Sequence, residues 1–475
     1  MTFSALLVAN RGEIAVRILR TARQLGIRAV AAYSADDAQS LHVRQGDDAV
    51  ELPGSGPAAY LDAAALAAAA QQAGCDALHP GYGFLSENAA FARLCAERGI
   101  TFVGPRPELL ALFGDKVAAR ALARQCGVPV LAGTGGAATL AEAAEFLASL
   151  PAGRGVMLKA VAGGGGRGMR AVHRAADLAG AFERCQSEAR RAFGSDAVFA
   201  EELVGRARHI EVQVIGDQAG GITHLGEREC SLQRRHQKLV EITPAPRLAA
   251  GLARQLADAA VTMAAAVRYD NVGTFEFLVD DERQAFAFIE ANPRLQVEHT
   301  VTEEVTGVDL VATQLALAAG DRLAGLGLDQ RPGAEPRGLA LQVRVNTETI
   351  GPDGSVLPAA GTLTAFDLPA GPGIRVDTSG YAGYPTNPRF DSLLAKVIVR
   401  APRPDLGEAI ARAARALREF RIEGVDTNVA FLEALLADPD VAAGDLYTGL
   451  VADHLEGLLA AAGRRGRRLY FEGPP

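Results

Sequence analysis

Glu276 and Glu290 are the residues of this chain best placed to do chemistry together. Glu276 lies in Thr274-Phe275-Glu276-Phe277-Leu278 and Glu290 in Phe288-Ile289-Glu290-Ala291-Asn292. Both segments read as strands, joined by the polar turn Asp280-Asp281-Glu282-Arg283-Gln284. A tight turn brings the two glutamates opposite one another and sends Phe275 and Phe277 to the other face. Facing carboxylates repel, by roughly 4 kcal/mol at about 4 Å and an effective dielectric of about 20. A divalent cation turns that repulsion into binding. Asn292, two residues past Glu290 on the same face, adds an amide oxygen. Hard oxygen donors suit magnesium, above all magnesium that also carries nucleotide phosphates.

Other segments carry charge or backbone donors in useful patterns. Only Lys116, Lys159, Lys238 and Lys396 are lysine among 48 basic residues. In a chain drifting toward arginine, a lysine marks a place for a compact ammonium rather than a guanidinium fork. The first three fall in motif-like segments, whereas Lys396, inside Leu393-Leu394-Ala395-Lys396-Val397-Ile398-Val399, reads as an ordinary strand residue. The run Gly163-Gly164-Gly165-Gly166-Arg167-Gly168 joins two strands. It is either a flap whose N–H groups close over phosphates or a plain hairpin tip. Gln233-Arg234-Arg235-His236-Gln237-Lys238 reads as a dense basic loop, suited to an anion if carboxylates and metal lie nearby. Strand 208–214 puts His209, Glu211 and Gln213 on one face, which taken alone reads as a face turned to water.

These groups need a scaffold. Residues 1 to about 110 alternate strand and helix: strands at 5–9, 28–33, 76–78 and 100–103, and an amphipathic helix at 13–25 with Ile14, Ile18, Leu19 and Ala22 on one face. That alternation predicts a parallel sheet covered by helices. The first turn, Ala9-Asn10-Arg11-Gly12-Glu13, is not the glycine fingerprint of a dinucleotide site. Residues 132–203 form a small inserted unit with strands at 156–161 and 169–172. The last region has strands at 339–346, 362–367, 374–378 and 393–399 and helices at 406–420 and 429–436.

Composition narrows the function. The chain has 475 residues, 49% hydrophobic and 22% charged, which suits a globular protein of two to four domains. A net charge of −8 without a long basic run argues against nucleic acid as a partner. The N-terminus has no basic stretch before its short apolar run, and no stretch is apolar enough to cross a membrane. Five scattered cysteines without a C-x-x-C pair fit a reduced, cytoplasmic setting.

Six segments in order resemble the ATP-grasp enzymes, and among them biotin carboxylase. They are Val8-Ala9-Asn10-Arg11-Gly12-Glu13-Ile14-Ala15, His79-Pro80-Gly81-Tyr82-Gly83-Phe84-Leu85-Ser86-Glu87-Asn88 and Gly114-Asp115-Lys116. The glycine run follows, then Glu229-Cys230-Ser231-Leu232 with the basic loop, then Arg294-Leu295-Gln296-Val297-Glu298-His299. The resemblance implies an α/β ATP-grasp fold. Its parts would be an N-terminal Rossmann-like preATP-grasp domain over 1–113, an ATP-grasp domain over 114–335 with a mobile lid at about 132–203, a C-terminal β-rich domain over 336–455, and a tail or linker over 456–475.

The resemblance also implies roles. Lys116 and Lys159 would hold ATP phosphates under Gly163, Gly164, Gly165, Gly166 and Gly168. Glu201 and Leu203 would contact adenine, and His209, Gln233, His236 and Leu278 would line the nucleotide. Glu276 and Glu290, assisted by Asn292, would bind two Mg2+ ions, with Mn2+ as a substitute. Lys238, Arg294, Gln296 and the Val297 backbone would bind bicarbonate, Glu298 would deprotonate it, and Arg344 would stabilise the biotin enolate. The expected product is carboxyphosphate, which breaks down to carbon dioxide and a phosphate that takes the N1′ proton of biotin. No Met-Lys-Met attachment sequence is present, so biotin would come from a carrier protein or another segment, with a carboxyltransferase as further partner. A homodimer is the family expectation. The final acceptor, an acyl-CoA or pyruvate, stays open, as do another ATP-grasp ligase and a non-catalytic scaffold. The chain departs from the family's pattern at Ala162, at Glu202, and in the segment after Arg344 through a longer loop at 350–356.

Overall fold

A computed structural model describes residues 3–151, 153–161, 168–329 and 336–464. The N-terminal region is a parallel sheet of five strands: β1 (Ala5–Val8), β2 (Arg28–Ser34), β3 (Asp48–Leu52), β4 (Ala77–His79) and β5 (Thr101–Phe102), in the order β3-β2-β1-β4-β5. Alternate residues feed two cores. Leu6 and Val8 pack with Ile14, Ile18 and Leu19 of the helix Gly12–Gln24, and Ala5 and Leu7 pack with Leu66 and Phe91 on the other face. Strand β3 was not foreseen. It is an edge strand whose Asp48 and Glu51 face water, so it lacks the continuous apolar run of its neighbours.

Strands β6 (Gly155–Ala160), β7 (Met169–Val172) and β8 (Val198–Leu203) make a three-stranded antiparallel sheet in the order β7-β6-β8. The helices Leu140–Ser149 and Ala175–Phe193 close a small core over it, including Ala143, Val156, Leu158, Leu178, Phe182 and Cys185.

The largest element is one eight-stranded sheet. It begins with β9 (Arg208–Gly216), β10 (Ile222–Arg234), β11 (Gln237–Thr243), β12 (Asn271–Asp280), β13 (Ala285–Asn292) and β14 (Leu339–Asn346). Two short ribbons follow: β15 (Glu348–Ile350) with β16 (Val356–Pro358), and β17 (Ala365–Asp367) with β20 (Arg421–Glu423). Strands β18 (Ile374–Thr378) and β19 (Leu393–Ala401) complete the large sheet in the order β13-β12-β9-β10-β11-β14-β19-β18. It therefore runs straight through the boundary expected at 335/336, with β11 bonded to β14. One face is apolar. There Ile210, Val212, Phe275 and Phe277 pack against the helix Ala250–Ala266, and Val343, Val345, Val397 and Val399 against the helix Leu406–Glu419.

Two further segments take definite form. The loop at 350–356 is the turn of the β15–β16 ribbon, and its Asp353 lies 3.3 Å from Arg235. Residues 456–464, expected to be tail, belong to the helix Leu455–Arg464, whose Leu458 is buried in the C-terminal core. Amphipathic spacing puts Leu455, Leu458 and Leu459 on one side of this helix; the rest of the expected tail, 465–475, lies outside the described residues.

Candidate active site

The polar face of the eight-stranded sheet is where the chemistry collects. Across the β12–β13 hairpin Glu276 pairs with Glu290 and Thr274 with Asn292, as the spacing predicts, and a bulge follows Glu276. The glutamates have separate surroundings. Glu276 is buried, its Oε2 2.7 Å from His209 Nε2, while its Oε1 accepts from Asn292 Nδ2 at 2.8 Å and Gln296 Nε2 at 3.2 Å. Glu290 is half-buried and lies 3.2 Å from Lys116 Nζ. The donor set fits magnesium. Glu276 Oε2 meets a single donor and keeps a lone pair, and Glu290 faces it from the next strand.

Beside this pair, Lys238 gathers three carboxylates. Its Nζ lies 2.6 Å from Glu298, 2.7 Å from Glu211 and 3.4 Å from Glu276. Lys238 stands directly opposite Gln233, because β10 turns into β11 through Arg235 and His236 alone. Both turn residues have positive φ, 48° and 66°, the geometry of a tight hairpin turn, at roughly 1–2 kcal/mol each for residues other than glycine. The expected basic loop is thus a two-residue turn, and its charges part company. Arg234 is buried on Glu348 at 2.9 Å, Arg235 and His236 are exposed, and Lys238 points into the carboxylates.

Glu298 is fully buried. Its Oε1 takes Lys238 and its Oε2 takes the Arg344 guanidinium at 3.0 Å. Burial would raise its carboxyl, but Lys238, Arg344 and Arg228 outweigh burial and hold it well below the usual carboxylate range. Glu276 is lowered in the same way, burial being overcome by Lys238 and His209. Burial works against the Lys238 ammonium, yet Cys230 and the three glutamates raise it well above its ordinary value. Arg344 is shared with the buried Glu241 at 2.5 Å. Arg294 lies 2.5 Å from Glu87 and donates to Asn292 and Gln296, each at 3.1 Å.

The loop of the 79–88 motif is tied to the first turn. Asn10 Nδ2 donates to the carbonyls of Pro80 at 2.7 Å and Tyr82 at 2.8 Å. Gly81 has φ +63°, and a Cβ there would come within 2.8 Å of Asn10. Tyr82 OH in turn bonds Glu13.

On the three-stranded unit, Lys159 is buried on β6, 2.5 Å from Glu201 of β8, and Glu201 also meets Arg120. Burial and the neighbouring Lys116 push Lys159 down, to about 7, and Glu290 opposes that push. Glu201 is therefore engaged through its side chain in ion pairs. Leu203, at the end of the same strand, and Leu278, opposite His209 on β12, are half-buried. Gly168 is buried beside β7, whereas Gly163, Gly164, Gly165 and Gly166, like Ala162, lie outside the described residues. The unusual Glu202 has an evident place: it lies 3.5 Å from Arg154 and 4.0 Å from Arg283 in the hairpin turn.

Several participants escaped the sequence reading. His209, Glu211 and Gln213 share a face, but Glu211 and Gln213 are buried there rather than turned to water. Arg228 runs beneath them with no exposure, reaching Glu211 at 2.5 Å, Gln213 at 2.8 Å and Thr274 and Thr302 at 3.0 Å. Lys396 is no ordinary strand residue. It is fully buried, with Nζ 3.0 Å from both the Val297 carbonyl and Glu13. The rarity of lysine was the available signal for it.

Three family models match the chain in succession: "Biotin carboxylase, N-terminal domain" over residues 2–110, "Carbamoyl-phosphate synthase L chain, ATP binding domain" over 115–326 and "Biotin carboxylase C-terminal domain" over 342–453. A biotin carboxylase of Halalkalibacterium halodurans is 45% identical over 460 residues, covering 96% of this chain and 98% of its own. The biotin carboxylase domain of the Hydrogenobacter thermophilus 2-oxoglutarate carboxylase, solved as a dimer with MgADP, ADP and bicarbonate, superposes with a TM-score of 0.90 at 38% identity, covering 96% of this chain and 99% of that one. A single-chain, multi-domain long-chain acyl-CoA carboxylase superposes with a TM-score of 0.85 at 48% identity, covering 96% of this chain and 43% of that one. The chain spans about two fifths of the pyruvate carboxylases it matches: the human mitochondrial enzyme is 46% identical over 98% of this chain and 40% of its own length.

Proposed function

The chain belongs to the biotin carboxylases, ATP-dependent ligases, and from that premise we propose that it performs the first half-reaction of a biotin-dependent acyl-CoA carboxylase. In this reading bicarbonate carboxylates biotin at the expense of ATP. The observation that carries it is Glu298, a buried, ionised carboxylate seated between the cations Lys238 and Arg344.

Bicarbonate enters beside Lys238 and Arg294, with Gln296 and the Val297 N–H as further donors. As the anion engages Lys238, Glu298 loses part of its cation, its proton affinity rises, and its ionised form accepts the bicarbonate proton. A carboxylate oxygen of the substrate then bonds to the γ-phosphorus while the bond from that phosphorus to ADP breaks, giving carboxyphosphate. Lys116 and Lys159 neutralise the phosphates during this transfer, which depends on alignment and charge compensation more than on covalent help. His209, Gln233, His236, Leu203 and Leu278 surround the rest of the nucleotide, and the three-stranded unit serves as the lid. Glu276, Glu290 and Asn292 would hold magnesium, which when bound supplies further charge neutralisation at the phosphates. Carboxyphosphate separates into carbon dioxide and phosphate, the phosphate takes the N1′ proton of biotin, and N1′ bonds to carbon dioxide. Arg344 faces the developing enolate oxygen.

Biotin is presented by a carrier protein or domain, and a carboxyltransferase passes the carboxyl group to the acyl-CoA. The chain works as a homodimer in the cytoplasm. The 48% identity to an acyl-CoA carboxylase supports this acceptor, and the pyruvate carboxylases at similar identity keep pyruvate as the second reading. No helix among the described residues is long and apolar enough to cross a membrane.

ADP release from Mg-ATP with bicarbonate, with and without free biotin, tests the reading. Stimulation by biotin that vanishes without bicarbonate is the expected result. Turnover indifferent to biotin points to another ATP-grasp ligase and overturns it. Adding carrier and carboxyltransferase with acetyl-CoA, propionyl-CoA or pyruvate then identifies the acceptor.

A further inference from the structure

Lys396 stands in a row of three charged residues across neighbouring strands, opposite Arg344 of β14 on one side and Asp377 of β18 on the other. Two cations directly opposite one another destabilise a sheet, and a buried ammonium costs several kcal/mol unless partnered. Each cation here has its own carboxylates: Glu241 and Glu298 for Arg344, Glu13 and Asp377 for Lys396. The Lys396 Nζ lies 3.0 Å from Glu13 Oε1 and 3.9 Å from Asp377 Oδ2, and Asp377 has a second cation in Arg375 at 2.8 Å. Charge balance is thus complete without a further acceptor. Yet Nζ also donates to the Val297 carbonyl at 3.0 Å.

That carbonyl belongs to the planar peptide that carries the Glu298 nitrogen and Cα. Glu298 is the N-cap of the helix His299–Thr306, and its side chain must reach Lys238 and Arg344 together. A charge-assisted hydrogen bond on the preceding carbonyl restricts rotation of that peptide. The position has no solvent exposure, and the compact ammonium there meets a carbonyl and a carboxylate at 3.0 Å each.

We propose that Lys396 is a positioning residue for carboxylation: anchored on Glu13 and Asp377, it fixes the Val297–Glu298 peptide and so aims the Glu298 carboxylate between Lys238 and Arg344. The inference rests on the reading of Glu298 as the base.

The test compares Lys396→Met, the double variant Lys396→Met/Glu13→Gln and Glu298→Gln in the full chain. Bicarbonate-dependent ADP release with free biotin, the KM for ATP, the melting temperature and the crystal structure of the double variant are measured. Lys396→Met is expected to lower kcat by about tenfold to a hundredfold, the upper figure being the scale of an ångström's misplacement, with KM for ATP within about twofold. Glu13→Gln removes the carboxylate left buried without its cation, so the double variant regains melting temperature but not kcat, and its Val297–Glu298 peptide is rotated. Recovery of kcat together with melting temperature means a purely structural role and overturns the proposal, as does an unmoved peptide with normal kcat. Should Lys396→Met alone fail to fold, the double variant decides. Wild-type turnover in Glu298→Gln removes the base assignment and this inference with it; an inactive Glu298→Gln beside a fully active double variant removes only the inference.

Discussion

The eight-stranded sheet and the three-stranded unit both bury charge, but they hold it differently. On the large sheet, Lys238, Glu211, Glu276, Glu298, Arg344 and Glu241 form one connected network, braced from below by Arg228 and from the side by Lys396. On the small one, Lys159 has Glu201, and Glu201 is shared with Arg120 from the helix Lys116–Gln125. Many mutual partners keep the large network in one ionisation state. Lys159 has fewer partners: Glu201 in contact, and Glu290, whose charge opposes the downward push of burial. In the proposed reading, the groups to be aimed at bicarbonate and biotin sit in the over-determined network, and the lysine that is to meet phosphates sits outside it.

The difference between the two regions is tested most directly at Glu298. Glu298→Gln is expected to lower bicarbonate-dependent ADP release by about 10²- to 10⁴-fold, the usual contribution of a general base, while MgADP binding measured by calorimetry stays near the wild-type value. Equal losses in both would make the network a nucleotide site rather than a base site. Next in size is Arg228→Met. It strands Glu211 in the interior and is expected to cost about 3–5 kcal/mol in denaturant unfolding. A loss below about 1 kcal/mol would show that Lys238 alone balances Glu211.

The two regions should also respond oppositely to pH. Glu298 and Glu276 are held below the ordinary 4.5, so their stabilising charge is fully present above that value and is lost only as pH falls below it. The rate profile for bicarbonate should therefore show no acid limb from Glu298 above about pH 5. Lys159 is lowered from 10.5 to about 7, so the free protein sheds its proton as pH rises through that value, whereas bound phosphates favour the ammonium. MgADP affinity should be flat below about pH 7 and fall above it, by up to about tenfold per unit, with proton uptake on binding seen by calorimetry in buffers of different ionisation enthalpy. A flat profile to pH 9 would mean that Glu290 and Glu201 together keep Lys159 charged throughout. The smallest effect is expected from Glu201→Gln, which removes the carboxylate in contact with Lys159 and so moves the onset of that fall to lower pH.

Much of the site was legible because strand alternation is local. The register of Glu276 with Glu290 and Asn292 follows from a polar turn between two alternating runs, and the sheet adopts it. The same logic placed His209, Glu211 and Gln213 on one face. It could not say that the face is roofed by the helix His299–Thr306, whose Thr302 meets Arg228, so burial was misjudged. Strand β3 was missed because an exposed edge carries no continuous apolar signal. The longer C-terminal strands were foreseen, the short β15, β16 and β20 were not, and nothing local to residues 339–346 says that they bond to β11.

The sequence by itself determined most of the longer elements, the order of the motifs and the kind of chemistry they support, since these depend on residue type and on periodicities of a few residues. Tertiary structure decided the partners. Arg344 reaches Glu298 because β14 is stitched to β11, and Lys396 reaches Glu13 and the Val297 carbonyl across hundreds of residues of chain and about a hundred. Burial and charge pairing are properties of what lies opposite in space. Sheet order, which brings distant strands together, therefore decides which carboxylates stay ionised and where they point.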